Sequence, residues 1–151
     1  MGKVIADSNA SVVLMHMQGT PRTMQKNPRY DNVVEEIVLF LGERIEYASS
    51  KGIDPARIII DPGIGFGKTL EHNLALLHEI DRLHDLRCPV LVGASRKSMI
   101  GMISGAPVED RAWGTAAIVA HSVLHGVHIH RVHDVREMRQ VCDVAHALRS
   151  V

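Results

Sequence analysis

The sequence has few cysteines, no excess of charge of either sign and no long hydrophobic run. Its two cysteines, Cys88 and Cys142, are far apart, so we expect buried, reduced thiols in a cytoplasmic protein. The 17 basic residues balance the 17 acidic ones, which removes the general argument for a nucleic-acid or membrane surface. No apolar run reaches the roughly 18 residues of a membrane span. The opening MGKVIADSNAS lacks the apolar core of a signal peptide, and Ala6 makes a myristoylation signal poor.

Short apolar runs alternate with helical patterns along the chain. The runs predict four strands, at 12–17, 57–61, 89–93 and 127–132. A helix begins with a capping box of Asn32 and Glu35 and ends at Gly52. Its apolar positions are Val34, Ile37, Val38, Leu41, Ile45 and Ala48. A second helix is marked by Leu70, Leu74, Leu77 and Ile80. A short helix follows the third strand, a longer one covers about 109–126, and Asp134 with Glu137 predicts the cap of the last.

This alternation predicts an α/β fold in which helical connections make the strands parallel. The 151 residues are enough for one domain with a core, and we expect a single domain over 1–151. Two architectures fit four strand–helix units. One is an open doubly wound sheet, and the other is half of a (β/α)8 barrel, whose full length is about 250 residues.

Polar side chains follow all four predicted strands at their C-terminal ends. They are His16 and Gln18, then Asp61, then Ser95, Arg96 and Lys97, and finally Arg131, His133 and Asp134. In parallel α/β folds this edge of the sheet binds the ligand. The sequence therefore predicts a ligand site there.

The stretch DPGIGFGKT at 61–69 resembles a phosphate-binding P-loop but lacks one spacer residue between Gly63 and Gly67. A Walker-B acid is also missing, unless Asp134 serves as one, so a degenerate P-loop NTPase is a weaker alternative. Asp61 offers a better interpretation, because a carboxylate at a strand end accepts two hydrogen bonds from a guanidine-like edge such as that of a pterin. The glycines allow a flat ligand to approach the backbone closely.

Four motifs in this order resemble dihydropteroate synthase: LMHMQGTPRTMQ, DPGIGFGKT, VGASRKSMIG and RVHDV. The resemblance extends from about Val12 to the C-terminus. It implies a TIM barrel that joins 4-aminobenzoate to a dihydropterin methyl diphosphate and releases pyrophosphate. That family makes folate precursors and is the target of sulfonamides.

The resemblance also implies roles for individual residues. Asp61 would hold the pterin ring, and Lys97 would bond the pterin and lie against the aminobenzoate. Arg131 would stack on the pterin and meet the diphosphate together with His133. Walls of the pterin pocket would be Met15 and Gly93, and contacts to the aminobenzoate would be Phe66 and Ser98. Lys68 matches a motif, but we expect it to be structural.

The resemblance implies that the chain corresponds to barrel units five to eight of that family, and we expect the N-terminal half to be absent from it. The resemblance implies a Mg²⁺ cofactor whose Asn ligand belongs to the absent half, so we expect no metal ligand in this chain. Four strands leave open edges, which predicts a homodimer or association with a separate N-terminal half. The substrates would be the dihydropterin diphosphate and 4-aminobenzoate, with no nucleic acid and no membrane as partner. Alternatives are a non-catalytic pterin-binding fragment and a pterin-binding methyltransferase domain.

Ten histidines suggest a metal site, since His128, His130 and His133 form H-x-H-x-x-H. On a strand, however, His128 and His130 would point away from Arg131, toward the helices. We expect Trp113 to pack against a neighbouring helix, and the helix from Trp113 to Leu124 to be a candidate dimer interface.

Overall fold

The computed structural model describes residues 2–150 and has an α/β architecture with parallel strands. The strands are β1 (Val12–Met15), β2 (Ile58–Asp61), β3 (Leu91–Val92) and β4 (Ile129–His130). The α-helices are α1 (Gly2–Ala6), α2 (Val33–Ser50), α3 (Leu70–His78), α4 (Ser98–Ser104), α5 (Ala112–Leu124) and α6 (Val135–Arg149). Short 3₁₀ helices cover Pro55–Arg57, Ile80–Leu86 and Val108–Asp110.

The strands lie side by side in chain order. β1 pairs with β2 from Val12 opposite Ile58 to Met15 opposite Asp61, and β3 pairs with β4. A bridge between Ile60 and Val90 joins the two pairs, and the Ile60 N–H donates to the Pro89 carbonyl at 2.9 Å. Since all pairings are parallel, the C-terminal ends of all four strands meet at one edge of the sheet.

Helix α2 confirms the predicted apolar face but corrects its capping box. Val34, Ile37, Leu41 and Ala48 are buried. The Asn32 side chain accepts from the backbone N–H groups of Val34 and Glu35, as expected for an N-cap. The returning carboxylate belongs to Glu36 rather than Glu35: its Oε1 accepts from the N–H groups of Asp31 and Asn32.

Several predicted boundaries are wrong by a few residues. Helix α3 ends at His78, so that Ile80 begins a 3₁₀ helix, and Leu74 is 44% exposed instead of facing the core. Strands β3 and β4 are shorter than their apolar runs, and α5 starts at Ala112 after a 3₁₀ turn. No sequence pattern predicted α1. Its carbonyl at Ile5 accepts from the Arg57 guanidinium, which fastens α1 near the start of β2.

The apolar side chains form two clusters. The larger one joins the strands to α2, α3 and α4, with Ile58, Ile60 and Val90 fully buried. The smaller one lies between α5 and α6. Trp113 belongs to neither and is 85% exposed, so the prediction that it packs against a neighbouring helix is wrong.

Cys88 is buried as expected, whereas Cys142 is only half buried, and both are free thiols. No helix within residues 2–150 is long and apolar enough to cross a bilayer.

Candidate ligand-binding site

A cleft of about 440 Å³ lies at the C-terminal edge of the sheet. Six of the residues predicted for the site line it: Met15, Phe66, Gly93, Lys97, Arg131 and His133. The structure also adds Ser95 and Val132, which the sequence did not single out as ligand contacts. The position of Ser95 after the third predicted strand could have identified it as a cleft residue, whereas no feature of the sequence identifies Val132.

Asp61 ends β2 and is almost completely buried, with 1% of its surface exposed. Its Oδ1 accepts from the Gly63 N–H at 2.8 Å, and its Oδ2 accepts from Arg131 Nη2 at 3.1 Å. Burial raises the pKa of this carboxyl, while the Gly63 N–H, Arg131 and Lys68 oppose that shift. Each oxygen has used one of its two lone pairs. The carboxylate is thus oriented and each oxygen keeps a second lone pair, but Asp61 itself does not line the cleft.

Arg131 follows β4, and its guanidinium passes directly over the backbone of Gly93. A Cβ on Gly93 would lie 2.7 Å from Arg131 Nη2, so any other residue at 93 would force the guanidinium out of this position. The Arg131 side chain is 54% exposed although it is paired with a buried carboxylate. One face of the guanidinium therefore remains open to a ligand.

Lys97 extends over the ring of Phe66, with its Nζ 3.7 Å from the ring centroid. Gly65 permits this approach, since a Cβ there would lie 2.9 Å from Lys97 Cδ. Burial lowers the pKa of the Lys97 amine, and the nearby Arg131 lowers it further. Lys97 and Arg131 together place two cations against one cleft, and Asp61 pairs with Arg131 from outside the cleft lining.

Ser95 and His133 connect the ends of β3 and β4. The backbone N–H of His133 donates to Ser95 Oγ at 3.2 Å, and Ser95 Oγ lies 2.9 Å from His133 Nδ1. When Ser95 donates its own proton to Nδ1, the neutral ring carries its proton on Nε2. His133 then presents an N–H donor on the side away from Ser95.

Lys68, the lysine of the loop 62–69, donates its hydrogen bonds to carbonyls of the same loop. Lys68 is 4% exposed, and its Nζ donates to the carbonyls of Gly63 and Phe66 at 3.0 and 2.9 Å. It also lies 3.1 Å from His16 Nδ1. Burial lowers the pKa of Lys68 to about 8, and burial together with Lys68 lowers the pKa of His16 to about 4. Lys68 precedes α3 and its amine is occupied, so it cannot serve as a P-loop lysine, and the expectation that it is structural is confirmed.

Side chains from outside this loop also hold it in place. The Tyr30 hydroxyl donates to the Gly67 carbonyl at 2.7 Å, and Gln25 donates to the Gly65 carbonyl at 2.8 Å. Buried Asn73 on α3 accepts from the Gly65 N–H at 2.7 Å. These bonds flank Phe66 and fix the ring on which Lys97 rests. No local pattern in the sequence links these residues to the loop.

Ser98 does not line this cleft. It is the exposed first residue of α4 and faces a neighbouring cavity of about 420 Å³, whose wall includes Gln25, Lys68 and Asn73. Its role in binding aminobenzoate stays a prediction.

The histidines do not assemble a metal centre within the described chain. His130 points toward α6, where its Nδ1 lies 3.9 Å from Cys142 Sγ, while His133 turns to Ser95 on the other side. Across residues 2–150 no three His, Cys, Asp or Glu side chains come together in a set that could hold a metal ion. The zinc interpretation of H-x-H-x-x-H therefore does not fit, and these residues do not build a Mg²⁺ site either.

The model of the pterin binding enzyme family matches residues 1–133. The dihydropteroate synthase of Synechocystis sp. is 44% identical over 146 residues, which are 96% of this chain and 50% of that protein. That of Escherichia coli is 41% identical over 145 residues, 96% of this chain and 51% of that protein. The chain thus spans about half the length of these curated relatives.

Solved structures show the same relation. The Yersinia pestis dihydropteroate synthase in complex with a sulfonamide drug superposes with a TM-score of 0.96 at 39% identity, covering 99% of this chain and 55% of that one. The Thermus thermophilus enzyme in complex with 4-aminobenzoate gives a TM-score of 0.91 at 42% identity, over 97% and 60% of the two chains. With its matching motifs and fold, this chain belongs to the pterin binding enzyme family, and the relatives it resembles are dihydropteroate synthases.

Proposed function

We propose that the chain contributes the C-terminal half of a dihydropteroate synthase barrel to folate biosynthesis. The observation that carries this proposal is the convergence of Lys97, Arg131 and His133 on one cleft, with the buried Asp61 of a further strand end paired to Arg131. The reaction would join 4-aminobenzoate to 6-hydroxymethyl-7,8-dihydropterin diphosphate and release pyrophosphate. We place it in the cytoplasm.

The buried Asp61 carboxylate suits the 2-amino and ring N–H donors of a pterin. Both of its oxygens are already oriented by hydrogen bonds and keep one lone pair each. Because Asp61 is almost completely buried and lies outside the cleft lining, its neighbours must move apart for a ligand to reach it. Arg131 can stack its open face on the pterin ring, which a lysine could not do.

The cations of the cleft suit the departing diphosphate. In the condensation, the aniline nitrogen of 4-aminobenzoate attacks the methylene carbon of the pterin, the C–O bond breaks, and its electron pair leaves with pyrophosphate. The nitrogen then releases one proton to solvent. Arg131 and the Nε2–H of His133 would stabilise that developing negative charge. The amine is a nucleophile without activation by a serine or cysteine, so it needs only to be positioned.

The sheet edges support the second part of the proposal, that further strands complete the barrel. Among residues 2–150, β1 pairs only with β2 and β4 only with β3, so both outer strands keep an open edge. A second copy or a separate N-terminal half would cover them. In the family a Mg²⁺ ligand lies in that other half, and we propose the same location here. A non-catalytic pterin-binding module is the alternative, since the residues that this chain would contribute to the site are binding residues.

Binding and turnover distinguish these possibilities. We expect the chain to bind the dihydropterin diphosphate, and Lys97→Ala and Arg131→Ala each to weaken binding by about 10- to 100-fold, because each removes a charge-assisted contact. Arg139→Ala is the matched control, since it removes an exposed arginine of α6 that pairs with Asp143 away from the cleft. Calorimetry measures the affinities, and aminobenzoate-dependent pyrophosphate release measures turnover.

Each result has a definite meaning. Release that Lys97→Ala abolishes would show a working site built by this chain. Binding without release would favour the non-catalytic module or a requirement for the other half. If neither cleft variant changes the affinity more than Arg139→Ala does, the assignment of the site is wrong.

A further inference from the structure

Two consecutive residues after β3 are bonded to two consecutive residues after β4. Ser95 bonds His133, and next to it Arg96 bonds Asp134 through both ends of its guanidinium. Arg96 Nε donates to Asp134 Oδ2 at 3.1 Å, and Arg96 Nη2 donates to Oδ1. The two loops that contain Lys97 and Arg131 are therefore joined by side chains, in addition to the short pairing of their strands.

The backbone of Arg96 has an unusual conformation that its surroundings hold in place. Its φ is +55°, in the left-handed region that non-glycine residues rarely adopt. The Arg96 N–H donates to the Thr115 hydroxyl at 3.0 Å, and Arg111 Nη1 donates to the Arg96 carbonyl at 3.2 Å. Thr115 is itself 1% exposed. The backbone N–H, the backbone carbonyl and two guanidinium nitrogens of Arg96 are thus bonded around one strained residue directly before Lys97.

We propose that the Arg96–Asp134 ion pair is a positioning device for Lys97, holding its amine over Phe66 and toward Arg131. Arg96 acts through its neighbours and need not touch the ligand. The ion pair lies outside the cleft lining, its guanidinium is one-third exposed, and Asp134 occupies the N-cap position of α6 without capping it. The carboxylate is thereby diverted from a stabilising local bond to a contact 38 residues away in sequence.

This geometry matters because Lys97 and Arg131 repel each other. Two cations facing one cleft separate unless their backbones are fixed, and a displacement of about 1 Å in such a group costs up to 100-fold in rate or binding. A guanidinium paired with a carboxylate at two points fixes orientation as well as distance. With Arg96→Lys, a single ammonium would contact the Asp134 carboxylate, and this would not fix the orientation of the two groups.

The experiment combines a readout that needs no ligand with one that does, because the inference rests on the proposed function. The first readout is the NMR chemical shift of the Lys97 side-chain protons. The ring current of Phe66 moves these signals upfield when Lys97 lies over the ring. Arg96→Gly is the informative variant, since glycine adopts the left-handed conformation without strain and only the ion pair is lost. We expect Arg96→Gly and Asp134→Asn to abolish the upfield shift, and Arg96→Lys not to restore it.

The second readout is affinity for the dihydropterin diphosphate, which we expect Arg96→Gly to weaken about 10- to 100-fold. Arg139→Ala, which breaks the exposed Arg139–Asp143 pair, is the control and should change neither readout. An unchanged upfield shift in Arg96→Gly would overturn the inference. A wild-type chain that shows the shift but does not bind the diphosphate would refute the proposed function and leave the positioning role standing.

Discussion

Lys68 and Lys97 are the two lysines of the site region, and their surroundings are opposite. Lys68 is buried and gives its protons to carbonyls of its own loop, while the Lys97 amine faces the cleft over Phe66. Both have a pKa lowered by burial, so lowered pKa alone does not separate them. The hydrogen-bond partners do: an amine with three partners inside the protein has no donor left for a ligand.

Gly63 determines the orientation of Asp61. Its N–H donates to Asp61 Oδ1, its carbonyl accepts from Lys68, and its φ is +71°. A Cβ at this position would collide with the carbonyl oxygen of His16. Position 63 therefore requires glycine for two separate reasons, conformation and space.

We predict that Gly63→Ala lowers the free energy of unfolding by about 2–5 kcal/mol. Roughly 1–2 kcal/mol come from the left-handed conformation and the rest from the collision with a buried backbone. Gly105→Ala is a matched control, because Gly105 has nearly the same φ, +72°, with nothing within 4 Å of its Cβ position. It should cost only about 1–2 kcal/mol. Equal losses in urea unfolding would show that the collision does not matter.

At the scale of elements, helix capping explains two differences between expectation and structure. In α2 the returning carboxylate comes from Glu36, one residue later than a standard capping box. In α6 the N-cap residue Asp134 makes no capping bond at all, because Arg96 binds its carboxylate. The Arg96 guanidinium also holds the pKa of Asp134 below its ordinary value. Helix α6 therefore has no side-chain N-cap bond, and the Asp134 carboxylate instead joins the loops after β3 and β4.

The neighbouring glutamates of α2 permit a direct test. Asn32→Ala should lower the free energy of unfolding by about 1 kcal/mol. Glu36→Ala should lower it by about 0.5–1.5 kcal/mol, because two backbone N–H groups lose their acceptor. Glu35→Ala should stay within about 0.5 kcal/mol of the wild type. Both glutamates are exposed in the first turn of α2, so the helix dipole affects them alike. Thermal unfolding that shows the larger loss for Glu35→Ala would contradict this assignment.

At the scale of the whole molecule, the main feature is exposed apolar surface. Val13 of the outer strand β1 is 42% exposed, and Trp113 of α5 is 85% exposed. Within residues 2–150 the sheet has two open edges, and the apolar side chain of Val13 is exposed on its outer strand. Further strands would cover this surface. The relatives of known structure extend well beyond the part that this chain matches.

We predict that the isolated chain associates, so that its mass by light scattering rises above that of one chain with increasing concentration. Val13→Lys should suppress this, because a charge on the outer strand opposes pairing of sheet edges. Trp113→Glu tests the helical face of α5 as the alternative contact. Suppression by Trp113→Glu alone would place the interface on α5. A monodisperse monomer at all concentrations would contradict both.

The sequence by itself determined the class of fold, the family and the identity of most side chains in the cleft. This succeeded because parallel strands separated by helices must bring their C-terminal ends to one edge, so residues at strand ends are neighbours whatever the details. The apolar period of α2 and the internal role of Lys68 were likewise predictable from pattern and spacing.

Only the tertiary structure decided which side chains hold the others in place. Gln25, Tyr30 and Thr115 reach their partners from remote segments, and no local pattern predicts such pairs. Asp134 binds Arg96 and does not cap α6. Trp113 is exposed, and Ser98 faces a neighbouring cavity. In each case the outcome depends on which groups the folded chain brings within hydrogen-bond or packing distance, which is a property of the whole chain and not of the segment.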